Sequence, residues 1–193
     1  MKRLSLFIFI AITLWHVEVQ AREISFGAKD GRMEILLESG YSDRVMTLGT
    51  FEKFQGLINF KSARPEESYA RLSITTKSIN SGNFLRDAFL KSGTILNTSR
   101  FPEAKFVSTS VKFSGAKTAT VSGKLTLRGV TKPITFKIKF DRTSDHQLRN
   151  LTSKARFLAS DFGIPGFSFA NIIVRFRVWG FHAVDETARA SAD

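Results

Sequence analysis

The sequence predicts an all-β protein, built either as a sandwich or as a barrel. Most of the chain after residue 21 alternates apolar and polar residues with period two, and these segments are rich in β-branched and aromatic residues. Short turn-forming links, such as residues 114–117 and 129–133, suit hairpins between neighbouring segments. No alternation of strands with helices appears, which favours antiparallel strands throughout.

Ten segments carry this alternation. They are residues 24–26, 33–38, 45–54, 56–62, 69–77, 103–114, 119–128, 134–141, 147–158 and 172–181. The stretch 121–140 shows it most clearly, with one apolar and one polar face on either side of a turn. Each segment is therefore expected to bury one face and to expose the other.

One segment departs from the strand pattern. Apolar residues at positions 84, 85, 88 and 89 share one face of a helix. Asn83 is a suitable N-cap, Gly93 a suitable end, and Asp87 faces Lys91 four residues later. The sequence predicts one short helix near residues 83–92.

The start of the chain has the features of a secretory signal peptide. Lys2 and Arg3 precede an apolar run over residues 4–15, and Ala21 is a small residue at a suitable cleavage position. The run is shorter than the roughly 20 residues needed to span a bilayer. We predict a signal peptide over residues 1–21 with cleavage near Ala21, one domain over 22–185, a flexible tail over 186–193, and a periplasmic or secreted location.

Composition narrows the classes of partner and chemistry. The chain has no cysteine, so it has neither disulfides nor a thiol nucleophile. Its formal charge of +12 favours transient contact with an anionic membrane surface. The basic residues are scattered singly along strand-like segments rather than clustered with aromatics, which argues against nucleic acid as a partner.

The sequence offers little catalytic equipment. His146 lies in a polar turn, His182 lies near the end of the last strand, and neither has the spacing of a metal ligand set. Neither a Gly-x-Ser-x-Gly elbow nor a phosphate-binding loop is present. We therefore predict no catalytic residue, no metal site and no enzyme activity, although carboxylates distant in sequence can still meet in space.

Phenylalanine is the abundant aromatic residue, with 19 in the chain against two Tyr and two Trp. The interior of an eight-stranded barrel is just wide enough to be filled by side chains or to hold one slender ligand. An uncharged interior of Phe, Leu and Ile would suit a long hydrocarbon. Hydrophobicity alone leaves a filled core and a lined tunnel equally open.

Four motifs follow one another along the chain. They are GTFEKFQG (49–56), FPEAKFVST (101–109), GKLTLRGVTKP (123–133) and DFGI (161–164). The third is the most specific, and together they span most of the chain after the predicted signal. This set of motifs resembles the YceI-like domain family.

The resemblance implies an extended eight-stranded antiparallel lipocalin-like barrel with one short helix near 83–92, in an exported bacterial protein. It implies an amphiphilic isoprenoid lipid as partner, such as an isoprenoid quinone or a polyprenyl phosphate, and no other cofactor. It makes the following residues candidates for the tunnel wall: Phe51, Phe54, Phe106, Val121, Leu125, Leu127, Ile134, Phe136, Ile138, Phe162, Phe167 and Phe176. Basic residues at the mouth, with Arg128, Lys132 and Arg175 as candidates, would meet an anionic headgroup.

The sequence leaves three functions open. A lipid binder would serve transport, storage or stress protection, as a monomer or a homodimer. A ligand-free structural or stress-response scaffold would have a filled interior. A lipid-modifying enzyme would need polar residues converging inside the barrel, and the period-two pattern places few there.

Overall fold

The computed structural model describes residues 23–38, 44–61, 64–142, 148–165 and 170–183. The predicted signal peptide, the predicted tail, His146 and Phe167 lie outside these residues. The described residues form one antiparallel sheet of twelve strands, one α-helix and three short 3₁₀ turns.

The strands are β1 (Ile24–Gly27), β2 (Gly31–Glu38), β3 (Val45–Phe51), β4 (Phe54–Asn59), β5 (Tyr69–Thr75), β6 (Ile79–Asn80), β7 (Glu103–Phe113), β8 (Thr118–Leu127), β9 (Val130–Arg142), β10 (Leu148–Leu158), β11 (Asn171–Val178) and β12 (His182–Ala183). The helix α1 is Phe84–Lys91, and the 3₁₀ turns are Pro65–Glu67, Thr76–Ser78 and Ala159–Phe162. The predicted helix near 83–92 is therefore present.

The sheet curls into a barrel. Four pairs of strands continue one another after a short break: β1 with β2, β3 with β4, β5 with β6, and β11 with β12. Counted as continuous passages, twelve strands less four breaks give eight. Each passage pairs with the next along the chain, and the last returns to the first through β11 with β2 and β12 with β1. The all-β barrel is confirmed; the twelve hydrogen-bonded strands exceed the predicted eight because of these breaks.

The breaks lie at one level of the barrel, and Asp30 connects two of them. Its carbonyl oxygen accepts hydrogen bonds from the backbone N–H groups of Trp179 (2.8 Å) and Gly180 (3.2 Å). Its carboxylate accepts from the N–H of Gly27 at 3.0 Å and lies 2.8 Å from Nε2 of His182. The bond to His182 is the main cause that holds the pKa of the Asp30 carboxyl below its usual range.

Two glycines of the motifs make room for phenylalanine rings on the inner wall. A Cβ at Gly56 would lie 1.9 Å from Cζ of Phe26. A Cβ at Gly123 would lie 2.5 Å from Cζ of Phe106. Neither distance is compatible with a side chain, so these glycines are required by packing rather than by a turn.

The turn between β8 and β9 is shorter than the predicted residues 129–133. Its two central residues, Arg128 and Gly129, have φ values of +52° and +75°, as a type I′ hairpin requires. Pro133 lies inside β9, opposite Lys124 of β8. A proline is tolerated there because β10 pairs with β9 only from Ile138 onward, so no ladder hydrogen bond is lost on that edge.

Candidate functional site

The interior of the barrel contains two adjoining apolar cavities. The first, of about 100 Å³, lies in the half that holds β1, β4 and β5; the second, of about 80 Å³, lies in the half that holds β2, β3 and α1. Four side chains line both cavities: Ile74, Leu125, Phe157 and Val174. The cavities therefore follow one another along the barrel.

Nine of the twelve residues predicted to form a tunnel wall line these cavities. They are Phe51, Phe106, Val121, Leu125, Leu127, Ile134, Phe136, Ile138 and Phe176. Phe54 and Phe162 are buried but pack against other rings, Phe54 on Phe176 at 5.5 Å and Phe162 on Phe157 at 5.1 Å between centroids. Phe167 lies outside the described residues. The structure thus brings most of this set together, and their role in binding a ligand stays a prediction.

Sequence reasoning missed part of the lining. Phe26, Ile58 and Phe157 line the cavities from strands whose alternation was visible, so the same period could have identified them. Leu90, Ile95 and Leu96 also line a cavity, but Ile95 and Leu96 lie in irregular chain after α1. No periodic signal marks such residues as inward-facing.

One end of the barrel, here called the aromatic end, is closed by the rings of Phe60, Phe113 and Phe140. Their centroids lie 5.9 to 6.1 Å apart. Two of the three pairs are edge-to-face, the arrangement that aromatic quadrupoles favour. Phe60 also lines the first cavity, so this cluster lies at the end of that cavity.

The opposite end, here called the cap end, is closed by residues 81–102, here called the cap segment. The side chain of Asn83 accepts from the N–H of Arg86 at 3.0 Å, as the sequence predicts for an N-cap. Asp87 accepts from the N–H of Ser81 at 2.7 Å, and bonding to Ser81 is the main cause that holds the pKa of its carboxyl below the usual range. These bonds fix the first turn of α1 and place Leu90 over the second cavity.

Arg128 fastens the cap segment to the β8–β9 turn. Its guanidinium donates to the carbonyl oxygens of Thr94 at 2.7 Å and Ile95 at 2.5 Å. Arg128 thus has a structural role in the fold, and its contact with a lipid headgroup stays a prediction. Arg175 pairs with Glu34 at 3.2 Å, and Lys132 is exposed.

The barrel wall is incomplete between β9 and β10. Their pairing covers residues 138–142 and 148–153 and does not continue to the cap end. Ile134 and Phe136 of β9 face the first cavity beyond this point and are only half-buried. On β10, Ala155 and Phe157 line the same cavity. The described strands therefore leave the first cavity less tightly enclosed along this seam.

A larger depression of about 590 Å³ lies on the outer side of β1, β4, β5 and β7. Apolar residues such as Leu57, Leu72 and Val107 line it together with polar ones such as Gln55, Arg71 and Lys105. Because it is open and mixed in character, it lacks the features of a site for a long hydrocarbon. The interior cavities fit that class of ligand better.

Two absences concern the described residues alone. Among them, no group of three or more His, Asp or Glu side chains is placed to hold a metal ion. Within the same ranges, no helix has the length and apolar character needed to cross a membrane.

A family model described as the YceI-like domain matches residues 15–185. The chain therefore belongs to the YceI-like domain family, which confirms the family predicted from the four motifs. A UPF0312 protein of Pseudomonas putida is 41% identical over 122 residues, a match that covers 61% of this chain and 64% of that relative. A UPF0312 protein of Pseudomonas savastanoi is 45% identical over 93 residues, 48% of each chain. The matched region thus spans about half to two thirds of the length of these relatives.

Solved structures show the same fold. BcnA of Burkholderia cenocepacia matches with a TM-score of 0.64 at 18% identity, covering 78% of this chain and 96% of that one. A polyisoprenoid-binding domain from Saccharophagus degradans, implicated in plant cell wall breakdown, matches with a TM-score of 0.58 at 14% identity, covering 83% and 99%. At these identities the likeness establishes the barrel and nothing finer.

Proposed function

We propose that this protein is an exported binding protein that holds the tail of an isoprenoid-type lipid, such as a quinone or a polyprenyl phosphate, inside its barrel. The observation that carries the proposal is the pair of adjoining apolar cavities along the barrel axis. Their lining is almost wholly aliphatic and aromatic; Arg71 and Ser153 are the polar exceptions among the lining residues. A transport, storage or protective role would follow from enclosing such a lipid.

Binding would be driven by removal of apolar surface from water. Each Å² of apolar surface buried is worth roughly 25 cal/mol. The interior offers few polar partners, so a tail without polar groups would suit it better than a sugar or a nucleotide. The family and the polyisoprenoid-binding structural neighbour support a binding protein over an enzyme.

The cavity volumes set a condition on this function. About 100 and 80 Å³ fall short of the roughly 300–1,000 Å³ typical of ligand pockets. A long tail would enter only if shared lining residues such as Leu125 and Phe157 changed rotamer and joined the two spaces. The proposal therefore includes a widening of the interior when the ligand binds.

A plugged interior gives a direct test. Ala155 is buried and lines the first cavity, so Ala155→Phe should fill the space that the tail would occupy. Thr152→Phe on the exposed face of the same strand is the matched control. Organic extraction and native mass spectrometry of protein purified from a bacterial host would measure lipid per barrel. We expect bound lipid in the parent protein and in Thr152→Phe, and its loss in Ala155→Phe.

A second candidate function, a ligand-free structural or stress-response scaffold, is favoured by the small volume of the cavities. It predicts parent protein that carries no lipid and takes up none from quinone or polyprenyl phosphate added in detergent. It also predicts that Ala155→Phe destabilises the barrel by overpacking, about 1–3 kcal/mol. Lipid-free parent protein with that loss of stability would therefore overturn lipid binding.

A further inference from the structure

The helix α1 turns its apolar face away from the barrel. Phe84, Leu85 and Phe89 are 79%, 65% and 52% exposed, whereas Leu90 is 3% exposed and lines the second cavity. A helix advances about 100° per residue, which places Leu90 opposite the centre of the face formed by positions 84, 85, 88 and 89. A surface helix ordinarily turns its apolar face toward the core, whereas α1 turns this face toward solvent.

The outward face is held in place rather than left loose. The N-cap on Asn83, the bond from the Ser81 N–H to Asp87, and the two hydrogen bonds from Arg128 all lie in or next to α1. The exposed rings are therefore a fixed feature of the surface. Large apolar side chains grouped in this way mark a site of contact.

The charges around this face are positive. The cap segment contains Arg86, Lys91 and Arg100 against one acidic residue, Asp87, which is bonded to Ser81. Arg86 and Lys91 both interact electrostatically with the Asp87 carboxylate and help to lower its pKa, and the two cations exceed this one negative charge. Phe and Leu flanked by an excess of basic residues are the composition of helices that lie in the surface of an anionic membrane.

The size of the face also favours a membrane over a protein. Its three large side chains present on the order of 400 Å². A standard protein interface buries roughly 800 Å² on each partner. Shallow insertion between lipid headgroups needs no such area, because each side chain gains independently by entering the acyl region.

We propose that α1 is a membrane-docking site that inserts Phe84, Leu85 and Phe89 into the surface of an anionic phospholipid bilayer. Val45 and Met46, at the start of β3, are also exposed. Docking would place the second cavity, roofed by Leu90, against the bilayer. The docking itself does not depend on the proposed cargo.

Vesicle co-sedimentation tests the site. The probes are vesicles of phosphatidylcholine alone and vesicles in which a third of the lipid is phosphatidylglycerol. We expect the parent protein to prefer the anionic vesicles and to lose binding at high salt. Phe84→Ser with Phe89→Ser should weaken binding by about tenfold or more. Trp179→Ser, which removes an equally exposed ring elsewhere, should leave it unchanged.

The charge contribution has its own pair of variants. Arg86→Gln with Lys91→Gln should reduce binding to anionic vesicles by about tenfold and flatten its salt dependence. Lys112→Gln with Lys124→Gln on exposed strand positions is the matched control. An introduced Phe89→Trp should shift its fluorescence to shorter wavelength with anionic vesicles, which reports insertion directly.

Three results would overturn the proposal. One is parent protein that binds neither kind of vesicle. Another is full binding by the Phe84→Ser, Phe89→Ser variant. The third is a dimer in solution that this variant dissociates, since the face would then belong to a second copy. Lipid extracted from the same preparations tests the cargo separately, so loss of one activity is distinguishable from loss of the other.

Discussion

At the aromatic end of the barrel, Phe60, Phe113 and Phe140 turn their rings inward, and two ion pairs lie outside them. Lys61 lies 2.5 Å from Glu67, and Lys117 lies 3.2 Å from Asp141. At the cap end the arrangement is reversed, because α1 turns its rings outward and its basic residues outnumber its one acidic residue, Asp87. The two ends therefore differ in the direction of their aromatic rings, and the proposed docking site lies at the cap end.

The largest expected effect distinguishes a buried phenylalanine at the aromatic end from an exposed phenylalanine at the cap end. Phe140→Ala should lower the free energy of unfolding by about 3–5 kcal/mol, because the ring is buried and its loss leaves a cavity. Phe89→Ala, at the cap end, should change it by less than about 0.5 kcal/mol. Urea denaturation would measure both. Equal losses would mean that α1 packs on the barrel through this ring.

The next effect concerns the attachment of the cap segment. Arg128→Ala should cost about 1–2 kcal/mol, since it removes two charge-assisted hydrogen bonds and keeps a strained positive φ. Arg128→Gly removes the same bonds but relieves the strain, so it should cost less. Hydrogen exchange should rise in the cap segment in both variants. A protection pattern unchanged from the parent would show that other contacts hold the segment.

A pH-dependent effect should follow from Asp87. Its folded pKa is lowered by bonding to Ser81, so its contribution to stability is present above the unfolded value of about 3.9 and is lost as pH falls through the folded pKa. Amide protection in α1, corrected for intrinsic exchange, should therefore decline on acidification. Asp87→Asn should have lower protection at neutral pH and a flatter profile. Identical profiles would rule out this carboxylate as the cause.

The smallest effect is expected at the aromatic end. Lys117→Gln breaks the ion pair with Asp141, but both side chains are more than half exposed. The free energy of unfolding should change by less than about 0.5 kcal/mol, and less still in high salt. A calorimetric melt would measure this change. A loss well above that figure would show that charge pairing, rather than the aromatic cluster, closes this end.

The strands were predictable because each buries one face, and that alternation is a property of the sequence alone. The breaks between strands were not predicted. Phe51 and Phe54 are both buried although they lie three positions apart, so the period-two alternation changes phase at the break between β3 and β4. The break depends on hydrogen bonds from other passages, such as that from the Glu52 N–H to the Ser78 carbonyl. Period-two reading contains no information about such long-range partners.

The candidate site likewise has some features that the sequence predicted and others that it did not. Residues such as Val121 and Ile138 were predicted to face inward, and they do. Whether the space between them is filled depends on the summed volumes of side chains from eight passages. Likewise, the period of α1 predicted that positions 84, 85, 88 and 89 share a face. It did not predict which way that face points, because direction is set by Leu90 and the anchoring bonds of the cap segment.

Phe26 and Gly56 share one volume in the barrel wall, so the residue types at these two positions depend on each other. A side chain added at Gly56 would need the space that the Phe26 ring occupies, and the same holds for Gly123 and Phe106. Substitutions at these sites should therefore be tolerated in pairs and not singly. Among relatives, a larger residue in place of either glycine should accompany a smaller residue in place of its phenylalanine. The two positions of each pair should therefore change together.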